Sequence, residues 1–153
     1  FDGFRVDDWT IVDRGNNRLV MKNPEGHKII GKTGSGPAEF NNPSCLRYLG
    51  NSLYVSDTDN KRIQMFSNDG SYVKSFGLGE LVKPGGMASD GELLFVCDEE
   101  LNQIFIYNQD GKLFYTLDKD LEDPRDIFFL NGRLYVSDAS GNIKVFKNPI
   151  YKS

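Results

Sequence analysis

The chain has 153 residues, enough for one domain with a real core, and its 39% apolar and 26% charged composition is that of a soluble globular protein. A net charge of −4, with eight basic and thirteen acidic side chains in residues 77–153, argues against nucleic acid and anionic membranes, since proteins that grip phosphates concentrate Lys and Arg. No apolar run approaches the length that spans a bilayer.

The predicted elements recur along the chain. Thr10-Ile11-Val12-Asp13 is followed by a short polar stretch, an alternating run at Arg18-Leu19-Val20-Met21 and a Glu25-Gly26 turn. The second unit opens at Pro43, ends a strand at Leu53-Tyr54-Val55-Ser56-Asp57, alternates through Arg62-Ile63-Gln64-Met65-Phe66, and turns at Asp69-Gly70 into Tyr72-Val73-Lys74-Ser75-Phe76. The third opens at Pro84 and runs through Leu94-Phe95-Val96-Cys97-Asp98, Gln103-Ile104-Phe105-Ile106-Tyr107, Asp110-Gly111 and Leu113-Phe114-Tyr115-Thr116-Leu117. The fourth opens at Pro124 and runs through Leu134-Tyr135-Val136-Ser137-Asp138 and Ile143-Lys144-Val145-Phe146. The aspartates are 44, 41 and 40 residues apart, and each proline stands fourteen residues before its Asp. The Asx-Gly pairs take positive φ at little cost and close hairpins. Each unit therefore predicts a four-stranded antiparallel meander: strand a after the Pro, b ending in the Asp, c the alternating run, d after the turn. No segment has sustained helical periodicity. One such sheet cannot cover both its faces, and stacking sheets face to face about an axis can.

The units resemble NHL repeats of β-propellers. Gly34-Ser35-Gly36-Pro37-Ala38-Glu39-Phe40-Asn41-Asn42-Pro43 matches the opening of that repeat. Tyr54-Val55-Ser56-Asp57-Thr58-Asp59-Asn60-Lys61-Arg62-Ile63 and Asp69-Gly70 match the rest. The Gly-Pro-x-Glu-Phe form is also similar to repeats of bacterial six-bladed propellers of unassigned function. The resemblance covers nearly the whole chain and is strongest in the second repeat. The first lacks its Gly-Pro and Pro lead-in, and the fourth loses one residue between Asp138 and Ile143. The fold class it implies is all-β: a single propeller region over 1–153, with repeats at about 1–33, 34–77, 78–118 and 119–153. Strand a of the first repeat would start near Phe1. Strand d of the fourth would follow Lys147, where Pro149 disfavours a central strand. NHL-like propellers usually have six blades, so an incomplete or open array is expected, either part of a larger propeller or paired with other chains. The first residue is Phe, not Met, so the chain reads as a processed product or a piece of something longer.

Sites of chemistry are sparse. The strand-end aspartates, one per repeat, suit acceptance of backbone N–H groups better than a metal centre. The acidic stretch Asp118–Asp126 has alternating oxygens but lacks the Gly and terminal Glu of a Ca²⁺ loop, so it reads as a solvated d–a connection. Gly34-Ser35-Gly36 is no phosphate cradle, because a Pro and a strand follow it rather than a helix N-terminus. Cys45 and Cys97 read as buried thiols. His27, the sole histidine, is expected to be exposed at a blade edge, and alone it excludes a multi-histidine zinc site. No cofactor is expected. The d–a and b–c loops share one rim, and on the resemblance they present Arg14, Arg47, Lys61, Glu99, Glu100 and Arg125, with Asp126 facing the channel. The reading is a non-catalytic protein-binding or scaffolding module, with a protein partner or self-association. One alternative is a lactonase-like, Ca²⁺-dependent propeller hydrolase completed by further blades. Another is an RNA-binding NHL domain, which the mixed-sign rim disfavours. The small-molecule ligand stays open, and a secreted or periplasmic location is favoured over the cytoplasm.

Overall fold

The computed structural model describes residues 9–147. Fourteen strands form four antiparallel sheets in chain order: β1 (Trp9–Asp13), β2 (Arg18–Asn23) and β3 (Gly26–Ile30); β4 (Pro43–Leu49), β5 (Ser52–Asp57), β6 (Arg62–Ser67) and β7 (Tyr72–Phe76); β8 (Pro84–Ser89), β9 (Leu94–Asp98), β10 (Gln103–Tyr107) and β11 (Leu113–Leu117); and β12 (Asp126–Leu130), β13 (Arg133–Ser137) and β14 (Ile143–Lys147). Each sheet is a meander whose neighbours are consecutive strands. Besides strands the described residues hold two single 3₁₀ turns, Arg14–Asn16 and Thr58–Asn60, each directly after a strand-end Asp. No helix among the described residues is long and apolar enough to cross a membrane.

The expected four strands per blade are present in the second and third blades only. Among the described residues the first blade has strands b, c and d and the fourth has a, b and c. The expected strand a near Phe1 and the segment after Lys147 lie outside the described residues. The lead strands β4, β8 and β12 neighbour one another across blades and mark the inner edge of the fan. There the Gly86 N–H donates to the Arg125 carbonyl at 3.2 Å, a backbone bond from blade to blade. Among the described residues the sheets do not close into a ring.

Alternation along each strand sends one set of side chains to each side, and three apolar layers result. Leu19, Met21 and Ile30 of the first blade meet Leu53, Val55 and Phe66 of the second, with Phe40 from the connecting loop. Tyr54, Ile63 and Phe76 meet Met87, Leu94, Val96, Phe105 and Tyr107. Phe95, Cys97, Ile104 and Ile106 meet Ile127, Leu134 and Val136. At roughly 1.5–3 kcal/mol for each large apolar side chain fully buried, these layers dominate the stability of the fan.

The c–d turns explain the recurring Asp-Gly. Gly70 (φ +85°) and Gly111 (φ +79°) have the left-handed backbone these turns need, and both also press on the preceding blade. A Cβ would lie 2.4 Å from Ile30 at Gly70 and 2.4 Å from Phe76 at Gly111. Asp69 closes the first of these turns through the Ser67 hydroxyl and the Ser71 N–H, which bring its carboxyl down to about 2.

Polar closure comes from the strand-end aspartates, in a different way in each blade. Asp57 is fully buried and accepts from the Asn41 N–H (2.8 Å), the Asn60 amide (2.9 Å), Arg62 Nε (2.8 Å) and the Gln64 amide (3.0 Å). Arg62 in turn donates to the carbonyls of Ser35, Gly36 and Glu39, so the pair clamps the incoming d–a loop onto the blade. Asp98, which has no arginine partner, accepts from the backbone N–H groups of Val82, Lys83 and Leu101. Asp138 is held below the usual carboxylate range by the Ser140 hydroxyl and N–H. Asp13 is lowered by Arg18 and then Asn16, but on a half-exposed surface. The expectation that these carboxylates serve the following turn is therefore half the picture: Asp57 and Asp98 also reach back to the preceding loop.

Two outcomes follow. In urea denaturation, Arg62→Ala should lose about 3–5 kcal/mol, because Asp57 is left buried without its cation. Arg18→Ala, at the exposed equivalent, should lose far less, because solvent screens that pair. Equal losses would contradict the clamp. The lowered carboxylates Asp13, Glu39, Asp69, Asp123 and Asp138 contribute stability that is present above their unfolded values near ~4 and lost as pH falls through their folded values. The urea midpoint should be flat above pH ~5 and drop between pH ~4 and ~2, with a shallower drop in Asp69→Asn.

Candidate functional site

A cleft of about 410 Å³ opens at the inner edge of the fan. Its lining follows the repeat. The residue after each of the first three strand-end aspartates contributes Arg14, Thr58 and Glu99, and the pair after each lead proline contributes Ser44-Cys45, Gly85-Gly86 and Arg125-Asp126. Arg47 and Lys83 complete the charged wall. The first three residues sit there because the b–c connection leaves the sheet immediately after its Asp. The proline-led pairs sit there because Pro43 and Pro84 start the innermost strands of their blades and Pro124 stands two residues before that of the fourth, where a missing N–H costs no ladder bond.

Hydrogen bonds between blades fix the floor. Thr58 donates to the Pro84 carbonyl at 2.8 Å, and Ser56 to the Gly85 carbonyl at 2.7 Å. Glu99 is an anchor for two cations: Lys83 Nζ at 2.9 Å and, more distantly, Arg125 at 3.8 Å. Arg125 is held chiefly by Asp123 at 2.8 Å. The Glu99 carboxylate raises Lys83, and Arg125 lowers Asp123. Arg14 donates to the Asn42 side-chain amide oxygen, and the Asn42 N–H donates to Asn17 at 2.7 Å, which ties this arginine to the loop of the next blade.

Of the six rim residues expected from the sequence, Arg14, Arg47, Glu99 and Arg125 line this cleft, as does Asp126. Lys61 does not: it caps the 3₁₀ turn after Asp57 in the left-handed region, with φ 57°. Glu100 lies outside the lining. Cys45, Thr58 and Lys83 were missed, although each is placed by its offset from a lead proline or a strand-end Asp. Cys45 is only partly buried and borders the cleft, a correction to the expectation of a buried thiol; Cys97 is buried. Burial pushes both thiols up, so neither is a ready thiolate at neutral pH. His27 is exposed and lies against Trp9, with ring centroids 5.6 Å apart. Among the described residues, no three His, Cys, Asp or Glu side chains converge on a point that could hold a metal.

No family model matches the chain. A curated relative, Protein brain tumor of Drosophila melanogaster, an NHL-repeat protein, is 30% identical over 121 residues, which span 72% of this chain and 12% of the relative. Among solved structures the chain is similar to virginiamycin B lyase of Staphylococcus aureus, with a TM-score of 0.68 at 16% identity, covering 93% of this chain and 52% of that one. It is also similar to BamB of Moraxella catarrhalis, at TM-score 0.65 and 16% identity, over 97% and 46% of the two chains. A chain of a nidogen/laminin complex matches at TM-score 0.69 and 20% identity, over 85% and 53%. The chain thus spans about half the length of these structures, and at such identities they speak for the fold. Recurring residues, stacked antiparallel meanders and these likenesses agree on an NHL-like β-propeller fold.

Proposed function

We propose that the chain is a protein-binding propeller module whose terminal sheet faces are covered, in the working assembly, by further blades of the same kind. What carries this reading is the fourth blade's outer face. Cross-strand register places Phe128, Tyr135 and Val145 side by side, with Ile143 opposite Ser137. The counterparts of Tyr135 and Ile143 in the repeat are interior: Tyr54 and Phe95 match Tyr135, and Ile63 and Ile104 match Ile143. Ile63 and Ile104 are 0% exposed, whereas Ile143 is 68% exposed. The position keeps an apolar, β-branched residue that in two other blades lies in a blade-to-blade layer. A surface patch of this kind marks an interaction site.

The first blade complements it. Trp9 and Ile11 lie with Val20 and Ile29 on its outer face, and Trp9, Ile11 and Ile29 are exposed. Gly26 (φ +137°) has open space where Gly70 and Gly111 press on a preceding blade. One terminal face is thus built like the forward side of a blade and the other like the backward side, a head-to-tail pair rather than a self-complementary one. The neighbour found in a nidogen/laminin complex is consistent with propeller blades serving a protein partner.

Light scattering over a dilution series tests the reading. Concentration-dependent assembly is expected, and Val145→Glu, which sets a charge in the exposed apolar face, should shift the chain toward monomer while leaving its strand content unchanged by circular dichroism. A compact monomer at every concentration, unaltered by the substitution, would overturn it.

A further inference from the structure

The cleft carries the opposite charge from the molecule: four cations and two carboxylates line it, on a chain of net charge −4. The cations differ in their engagement. Lys83 and Arg125 are held by Glu99 and Asp123. Arg14 and Arg47 make no ion pair among the described residues; one donates to the Asn42 amide oxygen, the other through Nη1 to the Leu46 carbonyl at 2.9 Å. A guanidinium has five N–H donors in a planar fork, so both retain most of theirs for a ligand.

We propose that Arg14 and Arg47 form a recognition site for the carboxylate side chains of an acidic peptide segment entering the cleft. Three observations choose this ligand. A carboxylate is a planar anion that matches an arginine fork, and the charge-assisted bond is among the stronger ones in water-accessible sites. The volume, about 410 Å³, is that of a cleft for a compact group rather than a long groove. Glu99 and Asp126 share the wall, and they would repel a continuous phosphate backbone, whereas a peptide can offer its own N–H groups to them. The arginines are also positioned in advance. Arg14 opens a single 3₁₀ turn capped by Asn17 and is tied to the next blade through Asn42, and Arg47 stands mid-strand in β4. The site faces the inner edge, not the terminal sheets, so it goes beyond the assembly reading and does not depend on it.

Fluorescence anisotropy with fluorescein-labelled hexaglutamate is the test, with labelled hexalysine and a uridine decamer as counter-probes. Hexaglutamate should bind and weaken as salt rises from roughly 0.05 M to 0.2 M. The Arg14→Gln/Arg47→Gln double variant should bind it about tenfold or more weakly, the loss expected when charge-assisted bonds of ~1.5–3 kcal/mol are removed. Lys119→Gln, an exposed cation away from the cleft, should leave binding unchanged. Absence of binding, equal binding by the double variant, or tighter binding of the uridine decamer would each overturn the assignment. The solution mass of the double variant, measured alongside, separates this outcome from that of the assembly reading.

Discussion

A β-sheet with apolar side chains on both faces cannot stand alone in water, and nearly everything else in this fold answers that constraint. The second and third blades alternate so that both sides are buried: Leu53 and Val55 point one way from β5 while Tyr54 points the other. Burial on both sides is why the middle strands read as near-continuous apolar runs, and why each blade must have a neighbour. The same constraint reaches the turns, where glycine at 70 and 111 leaves room for the previous blade's Ile30 and Phe76. It also reaches the polar atoms between blades, where Tyr54 donates to the Gln109 carbonyl and Ser56 to that of Gly85, so that hydroxyls inside apolar layers are not left unpaired.

Polar clamps at the inner ends of the strands convert stacked sheets into a fan of defined geometry. The recurring Asp is an acceptor whose donors vary with what each blade supplies. In the second blade an arginine stands five residues on, and the pair holds three loop carbonyls. In the third, glutamine replaces the arginine and backbone N–H groups take over. A buried carboxylate is tolerated in both cases because both of its oxygens accept hydrogen bonds.

Those clamps also set where chemistry can occur. By pulling the d–a and b–c loops to one end, they bring residues of all four blades to a common cleft. Because the scaffold does not constrain what those residues are, Arg14, Thr58 and Glu99 occupy the same repeat position with three different charges. A propeller's binding specificity resides in these interchangeable positions, while its stability resides in the apolar layers.

Strand order, the turn positions and the apolar faces were legible in the sequence, because a period of two and a repeat near forty residues are local properties of the chain. Strands β7 and β11 run where the alternation and the Asp-Gly turns place them. Arg14, Glu99 and Arg125 line the cleft because offset from the strand-end Asp or the lead proline fixes which end of the blade a loop occupies, whereas Arg47 reaches it from within β4. What the sequence could not decide was pairing between blades. Nothing local tells that Arg62 would grip the carbonyls of Ser35, Gly36 and Glu39, that Lys83 would spend its charge on Glu99 while Arg14 and Arg47 kept theirs, or that Ile143 would stand bare where Ile63 and Ile104 are covered. Those outcomes depend on distances between residues far apart in the chain, and only the stacking of one sheet on the next sets them.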